Sequence, residues 1–284
     1  MKITNVGIVG SGTMGSGIAQ LFIQSGFNVV LYDIAVDIVE KAKDQVITRI
    51  KRLIEKGKID KEEAEQVKLK LATTAHIEDL SCCQLIIEAA PEKIEIKKDL
   101  FEKLDLHCSE ETILASNTSS FSITEIANCS KRPERVAGLH FFNPAPVMPL
   151  VEIVKGAQTS IETIESLKKI ALLIGKTPVQ CEDTPGFIVN RVARPFYNEA
   201  IKIFKEQIAS IEQIDRIMKY AGHFKMGPFE LQDAIGIDIN FATTESVHQS
   251  FFGDARFRPH YYQQRMVQSG RVGRKAGAGY YEYE

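Results

Sequence analysis

The stretch Asn5-Val6-Gly7-Ile8-Val9-Gly10-Ser11-Gly12-Thr13-Met14-Gly15 decides how the first part of this 284-residue chain is read. An apolar run of strand length, Val6 to Val9, meets a G-x-G-x-x-G turn, and a helical pattern then continues to about Gly26. In this reading Gly10 makes the tight turn, Gly12 lets the backbone approach a pyrophosphate, and Gly15 lets the helix press against the strand. Thr13 and Met14 fall in the first helical turn, whose amides face a negative ligand. A second strand, Asn28 to Tyr32, ends in Asp33, a carboxylate placed to accept from ribose hydroxyls and to repel a ribose phosphate. Because Tyr32 rather than a basic residue precedes Asp33, the pattern favours NAD over NADP. The competing reading is an unrelated glycine turn with Asp33 as a helix cap, and the strand on each side of the helix argues against it.

Outward from this unit, short apolar runs alternate with longer periodic stretches to about Val179, the signature of a parallel sheet covered by helices. Strands are expected at 5–9, 28–32, 85–88, 112–115, 135–140 and 150–154. Val36 to Gly57 has helical periodicity, and Asp60 with Glu63 forms the start signal of a partner helix, so a helical hairpin is inserted into the fold. Ser122 with Glu125 marks another helix start, and the helix from Ile161 closes at Gly175. At Asp183-Thr184-Pro185-Gly186 the strands stop. Helices are expected over 187–206, 211–220, 229–234 and 238–252, with Ser210 and Gln213 capping the second and Pro228 opening the third. The fold class is therefore α/β, a Rossmann-type, doubly wound, mostly parallel sheet over residues 1–183, followed by an all-α domain over 184–284. The glycine-rich tail from Gly270 to Gly279 reads as an ordered closing loop, because Tyr280, Tyr281 and Tyr283 follow it and need a packing site.

Composition narrows the function. A formal charge of −2 lacks the basic footprint of a nucleic-acid binder, so small molecules are the expected partners. Five cysteines, an odd set without Cys-x-x-Cys spacing, fit reduced thiols. With no apolar run of membrane-spanning length and a first strand close to Met1, the chain is expected to be cytoplasmic and not membrane-bound.

The chemistry is expected where strands of such a sheet end. His140 closes one strand and enters the loop Phe141-Phe142-Asn143-Pro144-Ala145-Pro146. Glu152 lies within Leu150-Val151-Glu152-Ile153-Val154, where an ionised carboxylate costs several kcal/mol unless paired. His140 is the simplest partner, giving a base and its orienting carboxylate, and no metal is required. Residue chemistry alone leaves a purely structural ion pair equally open. Ser116-Asn117-Thr118-Ser119-Ser120 follows another strand, either as part of the site or as an ordinary turn. Asn190, Arg194 and Asn198 recur at helical spacing past the hinge; Asn190 is assigned to the cleft, and Arg194 and Asn198 to a solvated face.

Taken together, the motifs resemble the 3-hydroxyacyl-CoA dehydrogenase family, especially its short bacterial 3-hydroxybutyryl-CoA members. VGIVGSGTMGSGIAQ (6–20), IIEAAPEKIEIKKDLF (86–101), ILASNTSSFSITEIA (113–127), HFFNPAPVMPLVEIV (140–154), DTPGFIVNR (183–191), MGPFELQDAIGIDI (226–239) and GRKAGAGYYEY (273–283) occur in the family's order and spacing. The resemblance implies that His140 is the base and Glu152 its partner, that Ser119 and Asn190 orient the substrate's 3-oxygen, and that Asn143 neighbours the thioester and cofactor. It implies that Glu92, Lys97 and Asn117 contact the nicotinamide half of NAD. It also implies that Arg52 and Lys56 meet coenzyme A phosphates, although from the residues alone those two read as a solvated face. A homodimer through the helical domain is implied as well, consistent with phenylalanines and tyrosines late in the chain. Pro149 and Lys225 depart from the family pattern, at positions where many relatives carry lysine and proline.

The expected reaction moves a hydride between the 3-position of an acyl-CoA thioester and NAD. One rival is an NAD-linked sugar-acid dehydrogenase similar to the gulonate dehydrogenase and lambda-crystallin branch, which shares the His–Glu pair but has no use for Arg52 and Lys56. Another is a non-catalytic dinucleotide-binding protein, which gains nothing from a buried carboxylate.

Overall fold

The computed structural model describes residues 2–283. The chain divides into two compact units, 1–184 and 185–284, each described by itself. In the first, the elements run β1 (Asn5–Val9), α1 (Thr13–Gln24), β2 (Asn28–Tyr32), α2 (Val36–Glu55), α3 (Lys61–Leu69), β3 (Leu71–Thr74), β4 (Leu85–Glu88), α4 (Ile94–His107), β5 (Ile113–Ser116), α5 (Ile123–Ala127), β6 (Val136–Phe141), β7 (Leu150–Lys155), α6 (Ile161–Leu173) and β8 (Thr177–Glu182). Eight strands form one sheet in the order β3-β2-β1-β4-β5-β6-β7-β8. All neighbours are parallel except β6 and β7, which the loop 142–149 joins as an antiparallel pair.

That order is what the residue pattern requires. The central strands are buried throughout, so β4 and β5 read as continuous apolar runs closed by a polar residue, Glu88 and Ser116. Ile8, Leu31, Leu85 and Ile113 pack with Ile18 and Phe22 of α1 and with Val39, Val46 and Ile50 of α2 in one core. The hairpin α2–α3 follows the expectation: the Asp60 carboxylate caps α3 by accepting from the Glu63 amide at 2.8 Å. Two strands, β3 and β8, were not among those expected, and they form the two edges of the sheet.

In the second unit lie α7 (Val189–Lys205), α8 (Ile211–Tyr220), α9 (Pro228–Ile235), α10 (Ile237–Ser250) and α11 (Tyr261–Gln268), the last unforeseen. Phe229, Ile237, Ile201, Met266 and Tyr280 share its core. The tail does close on this unit. Asp233 accepts from the amides of Tyr280 and Tyr281, both at 3.0 Å, and from the Tyr283 hydroxyl at 2.9 Å, while the Tyr281 hydroxyl donates to Asp215 at 2.8 Å.

One expectation is corrected here. Arg194 and Asn198 do not make a solvated face; both are 3% exposed. Arg194 donates to the Asn240 carbonyl at 2.8 Å and to Thr244 at 3.1 Å, and Asn198 donates to the Arg258 carbonyl at 3.0 Å. Burial pushes the Arg194 guanidinium down to about 10. Polar residues at helical spacing mark a face, but only the partners across it decide whether water or protein satisfies them.

Candidate active site

The glycine turn holds the geometry that its sequence suggests. Gly10 has φ +93°, and a Cβ at Gly15 would lie 1.7 Å from the Gly10 carbonyl oxygen, so neither position admits a side chain. Around Gly12 the opposite holds, with nothing within 4 Å of the place a Cβ would take. α1 begins there with Gly12 as its N-cap, no side chain capping its amides and no acid in its first turn. Open space before uncapped amides fits a pyrophosphate. The Asp33 carboxylate is fixed beside it, accepting from the Ser11 amide at 2.7 Å and the Ser11 hydroxyl at 2.6 Å. It does not cap α2, whose N-cap is Ala35.

Because β1, β2, β4, β5 and β6 are parallel, their carboxyl ends share one edge, and hydrogen bonds join them in series. The Gly10 amide donates to Tyr32, Ala89 to Val9, Asn117 to Glu88, and Phe141 to the Asn117 side chain at 2.8 Å. Asn117 thereby ties the strand of His140 to the strand beside the glycine turn.

His140 and Glu152 face each other in the register of β6 and β7, and Nδ1 lies 2.7 Å from Oε2. Glu152 is 1% exposed and His140 6%. The short antiparallel loop forces this pairing: side chains of directly opposed residues point to the same face. The Phe142 ring lies against the imidazole, with centroids 4.6 Å apart.

Glu92 and Lys97 are built into a network that also includes Glu88, which sequence reasoning missed. Lys97, almost fully buried, reaches Glu88 at 2.8 Å and Glu92 at 3.0 Å. Glu88 further accepts from the Ser116 hydroxyl at 2.6 Å and the Ala90 amide at 2.8 Å. One oxygen of Glu92 accepts from the Thr118 hydroxyl, the Ser119 amide and the Ser120 hydroxyl, at 2.6, 3.0 and 2.8 Å. The loop that carries Ser119 is thus anchored through Glu92 to Lys97 and Glu88. The signal for Glu88 was present: a carboxylate at the carboxyl end of an apolar strand invites the argument applied to Glu152.

Burial would raise the Glu92 carboxyl, but Lys97 and the hydroxyls of Thr118 and Ser120 outweigh it and hold the group below its ordinary 4.5. A carboxylate with a depressed folded value stabilises the fold above its unfolded value and loses that contribution as pH falls through the folded one. Chemical denaturation between pH 6 and pH 3 is therefore expected to show a smaller acid-induced loss of stability in Glu92→Gln than in the unmutated chain.

Arg52 and Lys56, one helical turn apart near the end of α2, line a cleft of about 380 Å³ together with Thr13 and Asn143. Two residues not singled out from the sequence join them, Arg49 and Gln20. Arg49 donates to the Ser16 hydroxyl at 3.0 Å, and burial lowers its guanidinium from its ordinary value. Among the described residues no carboxylate lines this cleft with the three cations. Asn190 lies on α7 in the second unit, its side-chain oxygen 3.5 Å from Arg194 Nη2.

Residues 5–184 match the family profile described as 3-hydroxyacyl-CoA dehydrogenase, NAD binding domain, and residues 186–283 match that of its C-terminal domain. The chain belongs to the 3-hydroxyacyl-CoA dehydrogenase family. It is 47% identical over its whole length to 3-hydroxyadipyl-CoA dehydrogenase of Escherichia coli, spanning 60% of that protein. It is 43% identical to a probable 3-hydroxybutyryl-CoA dehydrogenase of Deinococcus radiodurans, covering 98% of this chain and 99% of that one. Among solved structures, that of (S)-3-hydroxybutyryl-CoA dehydrogenase from Ralstonia eutropha matches with a TM-score of 0.95 at 40% identity, covering both chains fully. In this 3-hydroxyacyl-CoA dehydrogenase family member the open glycine turn belongs to the NAD-binding domain, and NAD is the cofactor. Among the described residues no helix is long and apolar enough to cross a membrane.

Proposed function

We propose that this chain is an NAD-dependent (S)-3-hydroxyacyl-CoA dehydrogenase that interconverts 3-hydroxybutyryl-CoA and acetoacetyl-CoA. The observation that carries the reading is the buried His140–Glu152 pair, at 2.7 Å, on the strand edge shared with the glycine turn. Relatives of matching length named for 3-hydroxybutyryl-CoA support the short acyl chain. The Escherichia coli relative, of which this chain spans 60%, is named for 3-hydroxyadipyl-CoA, so a dicarboxylic acyl chain is the alternative to test.

Bound NAD supplies the acceptor for the hydride leaving the substrate's third carbon. The glycine turn at Gly10, Gly12 and Gly15, with Thr13, Met14 and Asp33, would hold its pyrophosphate and ribose, and Glu92, Lys97, Asn117 and Asn143 its nicotinamide half. Glu152 accepts from His140 Nδ1, which assigns to Nε2 the taking of the hydroxyl proton and its return in the reverse direction. Ser119 and Asn190 orient the 3-oxygen, and Arg52 and Lys56 bind the phosphates of coenzyme A, the first as a fork and the second as a point charge. A homodimer through the helical unit is part of the proposal; Val192, Ile208, Ile217 and Tyr220 there are exposed and apolar, whereas Phe257 and Tyr280 are buried. The five cysteines, all free, agree with a reducing, cytoplasmic setting.

Purified protein mixed with acetoacetyl-CoA and NADH is expected to oxidise the nucleotide, read as loss of absorbance, and to do so faster than with NADPH. No turnover of acetoacetyl-CoA, alongside turnover of a sugar acid, would discard the proposal.

A further inference from the structure

Gln20, which lines the cleft with Arg49, Arg52 and Lys56, carries a buried polar atom that no described residue satisfies. Gln20 is 5% exposed, and its amide nitrogen donates to Gln24 at 3.2 Å. Its carbonyl oxygen, Oε1, is buried and accepts no hydrogen bond from any described residue. Leaving such an acceptor unmet costs on the order of 1–3 kcal/mol, so it persists where something else meets it. Thr13, Gly17 and Gln20 recur at helical spacing and put one stripe of α1 on the cleft wall. Leu53, Pro144, Pro146 and Val147 line the same cleft with apolar side chains that carry no donor.

We infer that Gln20 reads the amide-bearing arm of a coenzyme A thioester, its Oε1 accepting from an N–H of the arm. The inference rests on the proposed function. The cleft has the matching division of chemistry: cations along α2 for the phosphates, apolar side chains for the branched aliphatic segment, and one buried acceptor for the amide. Gln20 is a specificity-determining residue in this scheme and takes no part in proton or hydride movement. A site built to pair with a substrate N–H discriminates against an analogue without it.

The test uses three acetoacetyl thioesters with NADH: the coenzyme A ester, the pantetheine ester, which keeps the amides but lacks the nucleotide, and the S-ethyl ester, which lacks the arm. For Gln20→Met, the preference in kcat/KM for the pantetheine ester over the S-ethyl ester is expected to fall roughly tenfold, mainly through KM. For Arg49→Gln, the preference for the coenzyme A ester over the pantetheine ester should fall instead. Ratios between substrates cancel the fraction of active enzyme, so partial misfolding does not imitate the result, and Gln20→Leu provides a second variant. An unchanged pantetheine-to-ethyl preference in both Gln20 variants overturns the inference. An unmutated enzyme that turns over none of the three esters overturns the proposed function itself, a separate outcome.

Discussion

Replacing His140 by alanine is expected to lower kcat for acetoacetyl-CoA reduction by about 10²–10⁴-fold, the range a positioned general acid–base contributes. The expectation follows from the register of two strands. With His140 opposite Glu152 and Nδ1 at 2.7 Å from the carboxylate, one ring nitrogen is committed to orientation and the other is the one assigned to the substrate. Glu152→Gln is expected to lose activity on a similar scale, because an amide can donate to Nδ1 and thereby select the wrong tautomer. NADH binding, followed by fluorescence, should survive both changes, since the glycine turn and Asp33, assigned to the pyrophosphate and ribose, are held by their own hydrogen bonds. A His140→Ala enzyme retaining more than about a tenth of kcat is incompatible with a base that contributes at that level.

Much of this site is legible in the amino-acid sequence, and the parts that are not share a physical cause. The strands recovered from the residue pattern are the inner ones, all but β2 buried on both faces, whose apolar runs follow from their position. The two that escaped are the edges. β3 buries only Leu71, and β8 mixes exposed and half-buried positions around Pro178, which an edge strand tolerates because one side of its backbone needs no partner. Glu152 is legible because an isolated carboxylate in Leu150–Val154 demands a partner. Arg194 is not, since Asn240 and Thr244, which satisfy it, stand some 50 residues away in the chain and nothing local announces them. Gln20 illustrates the limit most clearly. A lone glutamine in α1 carries no signal of its own, and its meaning depends on an orphaned oxygen that only a folded neighbourhood defines.

The second large effect concerns stability rather than chemistry. Lys97→Met is expected to destabilise the first unit by about 3–5 kcal/mol, the cost of breaking a buried ion pair from one side, and to lower its melting temperature by roughly 10 °C. Glu88 is the reason. With 0% exposure it would keep only the Ser116 hydroxyl and the Ala90 amide against a full negative charge. Glu92, whose side chain is 39% exposed, can turn to water and loses less. If the uncompensated charge is what matters, adding Glu88→Gln should restore most of the lost stability, since a neutral amide can keep the hydroxyl and amide bonds without the ion. A double variant whose loss equals the sum of the two single losses would contradict this, because coupled charges in contact do not add. The restored fold should nonetheless remain slow. Without Lys97, Glu92 no longer has the cation that holds it over the Thr118–Ser120 loop, and Ser119 loses the anchor of its amide. Stability and kcat should therefore separate in the double variant, which distinguishes a network that positions the loop from one that only keeps the core folded.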